Sequence, residues 1–224
     1  MTRFRGFPEE GLRFLAALRE HNDRGWFQQH REEYERFLLE PARDFVEAMG
    51  AELGPEVHAD PRVNGSIFRI NRDTRFSRDK RPYKDHLDLW FWQGAGRGRS
   101  CPGYWFRLTP ERLMLGAGMH RFEGDLLTRY REAVADPKGG AELSRAAEQL
   151  PDEYRLGGQT YKRIPAGYDA DPDRADLLRH SGLYAGLELP LPPETHTPAF
   201  PAFCASHYRR MAPVQDWLVA LTAA

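Results

Sequence analysis

The run Arg69-Ile70-Asn71-Arg72-Asp73-Thr74-Arg75-Phe76-Ser77-Arg78-Asp79-Lys80-Arg81-Pro82-Tyr83-Lys84 gathers the densest set of charged groups in this 224-residue chain. Between Arg62 and Lys84 stand eight basic residues and two acidic ones, a local charge of +6 in a chain whose net charge is −1. Positive charge concentrated in this way points to a localised anion site rather than a general nucleic-acid binder, whose whole domain is usually basic. Arg69, Arg72, Arg75 and Arg78 recur every third residue, a spacing that aligns them in a 3₁₀ turn and spreads them over one broad face of an α-helix. Asp73 and Asp79 are placed to orient individual guanidinium groups, which a specific anion site needs and a solvated charge run does not. The expected ligand-binding set is Arg69, Asn71, Arg72, Arg75, Lys80, Tyr83 and Lys84. If the site is catalytic, the acid–base candidates are Asp73, Asp79 and His86, because fixed cations stabilise charge but carry no proton.

Lysine usage sharpens the picture. The chain has 28 arginines and four lysines, and two of those four, Lys80 and Lys84, fall in this segment. Lysine is a compact point charge with a tunable pKa, whereas arginine is a planar fork. The clustering suggests that lysine itself is wanted here.

Other chemistries find little support. Cys101 and Cys204 lie far apart with no CxxC or Cys/His spacing, which excludes a disulfide framework and a structural zinc site and fits a reducing compartment. The opening residues lack an apolar h-region and no apolar run reaches membrane-spanning length, so a cytoplasmic location with no membrane partner is expected. There is no P-loop, HExxH, GxSxG or dinucleotide fingerprint, and any cofactor stays unknown at this point. Asp85-His86-Leu87-Asp88 offers metal-type ligands, with His86 and Asp88 on one strand face, but two such groups are too few and no metal is expected.

Three readings of the basic segment stand side by side. In the first it binds, or acts on, a phosphate-bearing or other anionic small molecule. In the second its Arg and Asp side chains form an ion-pair lattice that orders a loop in an interaction module. In the third it contacts single-stranded nucleic acid beside the stacking rings of Trp90, Trp92 and Trp105, which the acidic remainder of the chain disfavours. Substrate, reaction and oligomeric state are not written in these residues.

The segment is also recognisable as a pattern. Ser66 to Ser77, followed by Asp79-Lys80 and Pro82-Tyr83-Lys84, resembles the signature of the domain-of-unknown-function family 2461. Asn22-Asp23-Arg24-Gly25-Trp26-Phe27, Gly116-Ala117-Gly118-Met119 and Arg163-Ile164-Pro165-Ala166-Gly167-Tyr168-Asp169 support the resemblance, which covers about residues 5–220. Ala166 departs from the pattern, where a lysine is more usual. The resemblance implies membership of the family and brings no activity with it.

The elements that must position this segment follow from periodicity. Apolar spacing predicts a helix after Pro8-Glu9-Glu10 carrying Leu12, Leu15 and Leu18, and a second from about Arg24 with Trp26, Phe27, Tyr34, Phe37 and Leu38. A third is expected to start or kink at Pro41 and to end at Gly54. The period then changes to two: a turn at Asn64-Gly65, a short strand Ile67–Ile70, and strands at Leu87–Trp92, Tyr104–Leu108 and Leu113–Met119 as an antiparallel meander. Leu87, Leu89, Phe91, Tyr104, Phe106 and Leu108 form its core face. His86, Asp88, Trp90, Trp92, Trp105 and Arg107 form the other, read as covered by other elements rather than open to a ligand. Gly116 and Gly118 leave the third strand of the meander bare on one face. Helices are expected at Asp125–Val134, Ala141–Leu150 and near Asp173–His180. After a proline-rich connector, a last helix spans about Ala199–Leu221, interrupted near Pro213. The expectation is one α+β domain over residues 1–224, an antiparallel β-meander packed with N-terminal and C-terminal helices.

Overall fold

Pro8, with φ fixed at −69°, leads into α1 (Glu9–Glu20), whose first turn carries Glu9 and Glu10 at the positive end of the helix dipole. The structure, a computed structural model, describes residues 3–96, 100–168 and 171–223. α1 buries Leu12, Phe14, Leu15 and Leu18. Asp23 then caps α2 (Arg24–Gln29) by accepting a hydrogen bond from the Trp26 amide at 2.9 Å. α3 (Arg31–Tyr34) passes through a π-helical turn, Glu35–Leu39, into α4 (Glu40–Leu53). The helix expected to begin or kink at Pro41 is therefore continuous with the one before it. Pro41 has no N–H for the carbonyl of Phe37, and the wide turn absorbs the mismatch. That carbonyl sits where α1 comes closest: a Cβ at Gly11 would lie 2.3 Å from the Phe37 oxygen.

Six strands form an antiparallel sheet: β1 (Val57–His58), β2 (Leu87–Gln93), β3 (Gly103–Leu108), β4 (Arg112–Met119), β5 (Arg155–Gln159) and β6 (His180–Pro190), in the order β1-β2-β3-β4-β6-β5. The fold is α+β, with helices at both termini. The meander appears where strict alternation predicts it, with Leu87, Leu89, Phe91, Phe106 and Leu108 buried. The Asn64-Gly65 turn is present, with Asn64 at φ 69° and the Gly65 amide donating to the Arg62 carbonyl at 2.9 Å.

Several expectations need correction. Ile67–Ile70 is not a strand. Phe68 N–H donates to the Asp88 carbonyl and Trp90 N–H to that of Ser66, but the pairing reduces to the bridge Ile67–Leu89 before the chain departs. The helix expected near Asp173–His180 shrinks to α7 (Pro172–Ala175) and a 3₁₀ turn, Leu177–Arg179, because the chain enters β6 at His180. β5 and β6 were not foreseen. α5 (Leu126–Ala135) lies close to its expected place, but α6 (Pro137–Glu148) starts four residues early. The Asp136 side chain caps it by accepting from the amides of Lys138 and Gly139 at 3.0 and 2.8 Å. α8 (Phe200–Ala223) runs through Pro213 without a break. Arg97–Arg99 of the glycine-rich turn and Asp169 of the late polar loop lie outside the described residues.

The chain divides into two compact units, one of residues 1–91, 105–114 and 188–205, the other of 92–104, 115–187 and 206–224. The first is centred on aromatic rings: Phe45 lies 5.1 Å from Phe4, 5.0 Å from Phe106 and 5.4 Å from Phe200. The second is centred on Phe122, Tyr130, Val134, Leu143, Leu178, Leu183 and Leu218. The buried hydroxyl of Tyr130 donates to the Leu177 carbonyl at 2.9 Å. Gly118 belongs to this unit. Its φ of +134° and the approach of the Leu183 carbonyl, 2.3 Å from where a Cβ would stand, explain the bare strand as close strand packing. No helix of the described residues is long and apolar enough to cross a membrane.

Candidate functional site

The basic segment is a hairpin-like finger within the first unit. Its root is paired: Lys84 N–H donates to the Ile70 carbonyl and Arg72 N–H to that of Pro82, both at 2.8 Å, with Asn71 and Tyr83 bridged antiparallel between them. Beyond the root the loop is braced by its own charges. Asp73 accepts from the Arg75 amide at 3.2 Å and from its guanidinium at 3.0 and 2.7 Å. Asp79 accepts from Arg72 at 2.6 Å and from Arg81 at 2.8 Å. Arg72 also reaches the Arg81 carbonyl at 3.3 Å, and Lys80 Nζ donates to that of Thr74 at 2.9 Å. The three-residue spacing of arginines therefore folds into neither a helix nor a 3₁₀ turn, because each aspartate captures the arginine two residues on. Hydrogen bonds from Arg75 lower the Asp73 carboxyl to about 2, and those from Arg81, then Arg72, lower that of Asp79. Both acid–base candidates in the loop are held as carboxylates by arginine.

The finger is fastened to α2. The Asn22 amide pairs with both backbone groups of Tyr83, donating to its carbonyl at 3.1 Å and accepting from its N–H at 3.0 Å. The Tyr83 ring stacks on Phe27 with centroids 4.1 Å apart and planes 17° from parallel. The Asn22–Phe27 and Pro82–Lys84 stretches, which the sequence presents as separate, form one joint.

Next to that joint the charges converge. Asp88, whose side chain is 14% exposed, accepts from Arg107 Nε of the neighbouring strand at 2.7 Å and pairs with Lys84 Nζ at 3.4 Å. Lys84, 21% exposed, also lies 5.1 Å from the Phe68 ring centroid. His86 stands between two carboxylates, Nδ1 3.0 Å from Asp85 Oδ1 and Nε2 3.2 Å from Asp88 Oδ2. Asp85 is further held by Arg19 at 2.9 Å, and Arg19 also binds Glu111. Burial alone would raise the Asp88 carboxyl, but hydrogen bonds from His86 and Arg107 outweigh it and leave it well below the usual range. Asp85 is lowered in the same way, burial being overcome by His86 and Arg19. Desolvation lowers Lys84 against the pull of Asp88.

Of the expected ligand-binding residues, the structure brings Tyr83 and Lys84 to this cluster, with His86 beside them. Asn71 is exposed at the finger root. Arg72, Arg75 and Lys80 are tied within the loop, and Arg69 is exposed, its charge acting on Lys84 and Asp73. Arg19, Asn22, Asp85, Asp88 and Arg107 were not expected as site residues. Alternation had placed Asp88 and Arg107 on one sheet face, and that signal was enough to pair them. On the same face Trp90 is buried while His86, Asp88, Trp92, Trp105 and Arg107 are half-buried, so the face is covered only in part. Among the described residues no three His, Cys, Asp or Glu side chains are grouped as metal ligands.

Asp79 is shared by Arg72 and Arg81, and Asp88 by Lys84, Arg107 and His86. Residues 10–217 match the family model described as "Conserved hypothetical protein (DUF2461)". The chain belongs to the DUF2461 family. No curated protein matches the chain. The finger and its root both fall inside the span that matches DUF2461, as do Asn22 and Arg107.

Proposed function

We propose that the root of the finger binds an anionic small molecule, a phosphate-bearing one above all, through Lys84, Arg69 and Arg107. The observation that carries this reading is the sharing of one carboxylate, Asp88, by Lys84 and Arg107, with Arg69 adjacent and itself tied to no carboxylate among the described residues. Two cations fixed on one acid leave positive charge directed outward, and Asp88 holds both in place before any ligand arrives. Lys84 is partly desolvated, which strengthens its attraction for an incoming anion.

The test is a thermal-shift titration of the full chain with inorganic phosphate, sugar phosphates and nucleotides. At least one is expected to raise Tm, by the mass-action stabilisation of about 2.7 kcal/mol at a hundredfold excess over Kd. Lys84→Ala should remove the rise while leaving the circular dichroism spectrum unchanged. No rise with any of these anions refutes the proposal. The second reading, an ion-pair lattice that only orders the loop, draws on the Asp73–Arg75 and Asp79–Arg72–Arg81 pairs. It predicts instead that Arg72→Ala disorders the finger and that no anion stabilises the protein.

A further inference from the structure

The finger tip carries a side chain that the anion site does not use. Phe76 is 95% exposed, whereas the next most exposed large apolar side chains among the described residues, Tyr161 and Ile164, reach 41%. The Arg75 guanidinium lies 5.8 Å from its ring centroid, and Arg78 and Lys80 of the same loop are exposed. The loop that presents Phe76 is held by the Asp73 and Asp79 pairs, by Lys80 on the Thr74 carbonyl and by Ser77 N–H donating to that same carbonyl at 3.3 Å. An aromatic ring held out in water on a braced, basic loop is a pre-organised anchor: little further entropy is lost when it enters a pocket.

The same unit has a socket of opposite character. An open groove of about 410 Å³ between α1 and the stretch from α2 to the π turn is lined by the rings of Trp26 and Phe37 over buried Phe14, and by the exposed acids Glu10 and Glu33. Arg13, paired with Glu10 at 3.1 Å, also lines it. Its wall is fixed: the Trp26 ring stacks on His30 at 4.0 Å and 14°, with His21 on it at 5.9 Å and 24°. Trp26 lines this groove, and the next residue, Phe27, bears the ring of Tyr83 at the finger root. The finger root and the socket thus flank one helix.

We propose that the occupant of this groove is the finger of a second copy of the chain, with Phe76 on Trp26 and Phe37 and with Arg75 and Arg78 facing Glu10 and Glu33. Because each copy offers one plug and one socket, reciprocal docking about a twofold axis closes the assembly as a dimer. The charges match in sign once Arg75 and Glu10 exchange their partners within the chain, Asp73 and Arg13, for each other, and Arg78 and Glu33 add a second pair around the apolar contact. The tip docks while the root remains available for the anion site, so the two proposals stand or fall separately.

Sedimentation velocity on the full chain, from micromolar to millimolar concentration at low salt, should show a monomer–dimer equilibrium that weakens at high salt. Phe76→Ser should weaken it by about tenfold or more, with the circular dichroism spectrum and the response to inorganic phosphate unchanged. The chain with Glu10→Arg and Glu33→Arg, and the chain with Arg75→Glu and Arg78→Glu, should each be monomeric alone and form a heterodimer when mixed. A monomer throughout the concentration range overturns the proposal. So does a dimer indifferent to Phe76→Ser, or a finger that binds only anionic lipid vesicles.

Discussion

Asn22 and Tyr83, sixty-one residues apart, are joined as a side-chain amide to the backbone N–H and C=O of one residue, each donating one hydrogen bond and accepting one. The pair replaces a rung of β-ladder at the point where the finger leaves the body of its unit. Asn22→Ala leaves both Tyr83 backbone groups without partners and should destabilise the protein by about 1–3 kcal/mol in urea unfolding. Asn22→Asp keeps an acceptor for the N–H but turns an oxygen toward the carbonyl. Its defect should shrink as pH falls and the carboxyl regains a hydrogen to donate.

Asp88 makes the stability of the first unit sensitive to acid. Its folded-state pKa lies below its unfolded value near 3.8, so the unfolded chain binds more protons between the two. Its contribution is therefore complete above about pH 5 and is lost as pH falls through 4 and on toward the folded value. Asp88→Asn should lower stability near neutral pH by about 3 kcal/mol, because Lys84 and Arg107 lose their shared partner. It should also flatten the fall in stability below pH 4, measured as urea midpoints across pH.

Gly11 and the Phe37 carbonyl define how closely α1 can approach the π turn. Gly11→Ala puts a methyl against that oxygen. The expected outcome is a loss of about 2 kcal/mol or more in unfolding free energy despite the better helix propensity of alanine. An unchanged or raised midpoint would show that α1 can shift outward at little expense.

Gly118→Ala combines a positive φ with a collision against the neighbouring strand. A loss of about 3 kcal/mol or more is expected, by the same measurement. Because the cause is packing, an equivalent loss should appear whether or not phosphate is present.

Much of this architecture was legible in the residues. Strict alternation from Leu87 to Trp92 identified β2 and placed Asp88 with Arg107 on one face, because a strand has period two whatever its surroundings. Asp23 ahead of Arg24 announced α2. β6 was harder: Gly182 and Gly186 interrupt its apolar alternation, and the helix expected near Asp173–His180 ran over its first residue. Asp136-Pro137 carries a cap-and-first-turn signal that places the start of α6 at Pro137. In the finger, residue type correctly marked a cationic segment. Its shape was set by aspartate–arginine pairs two residues apart, which a helical spacing argument does not weigh. The root cluster draws on residues 19, 22, 88 and 107, whose convergence depends on tertiary pairing rather than local pattern.

With its root locked to α2 and its outline cross-tied from within, the segment from Ile70 to Lys84 is a stiff lever. Phe76 at its far end is therefore carried on a braced arm, seated by the stack of Tyr83 on Phe27, rather than on a loop free to bend.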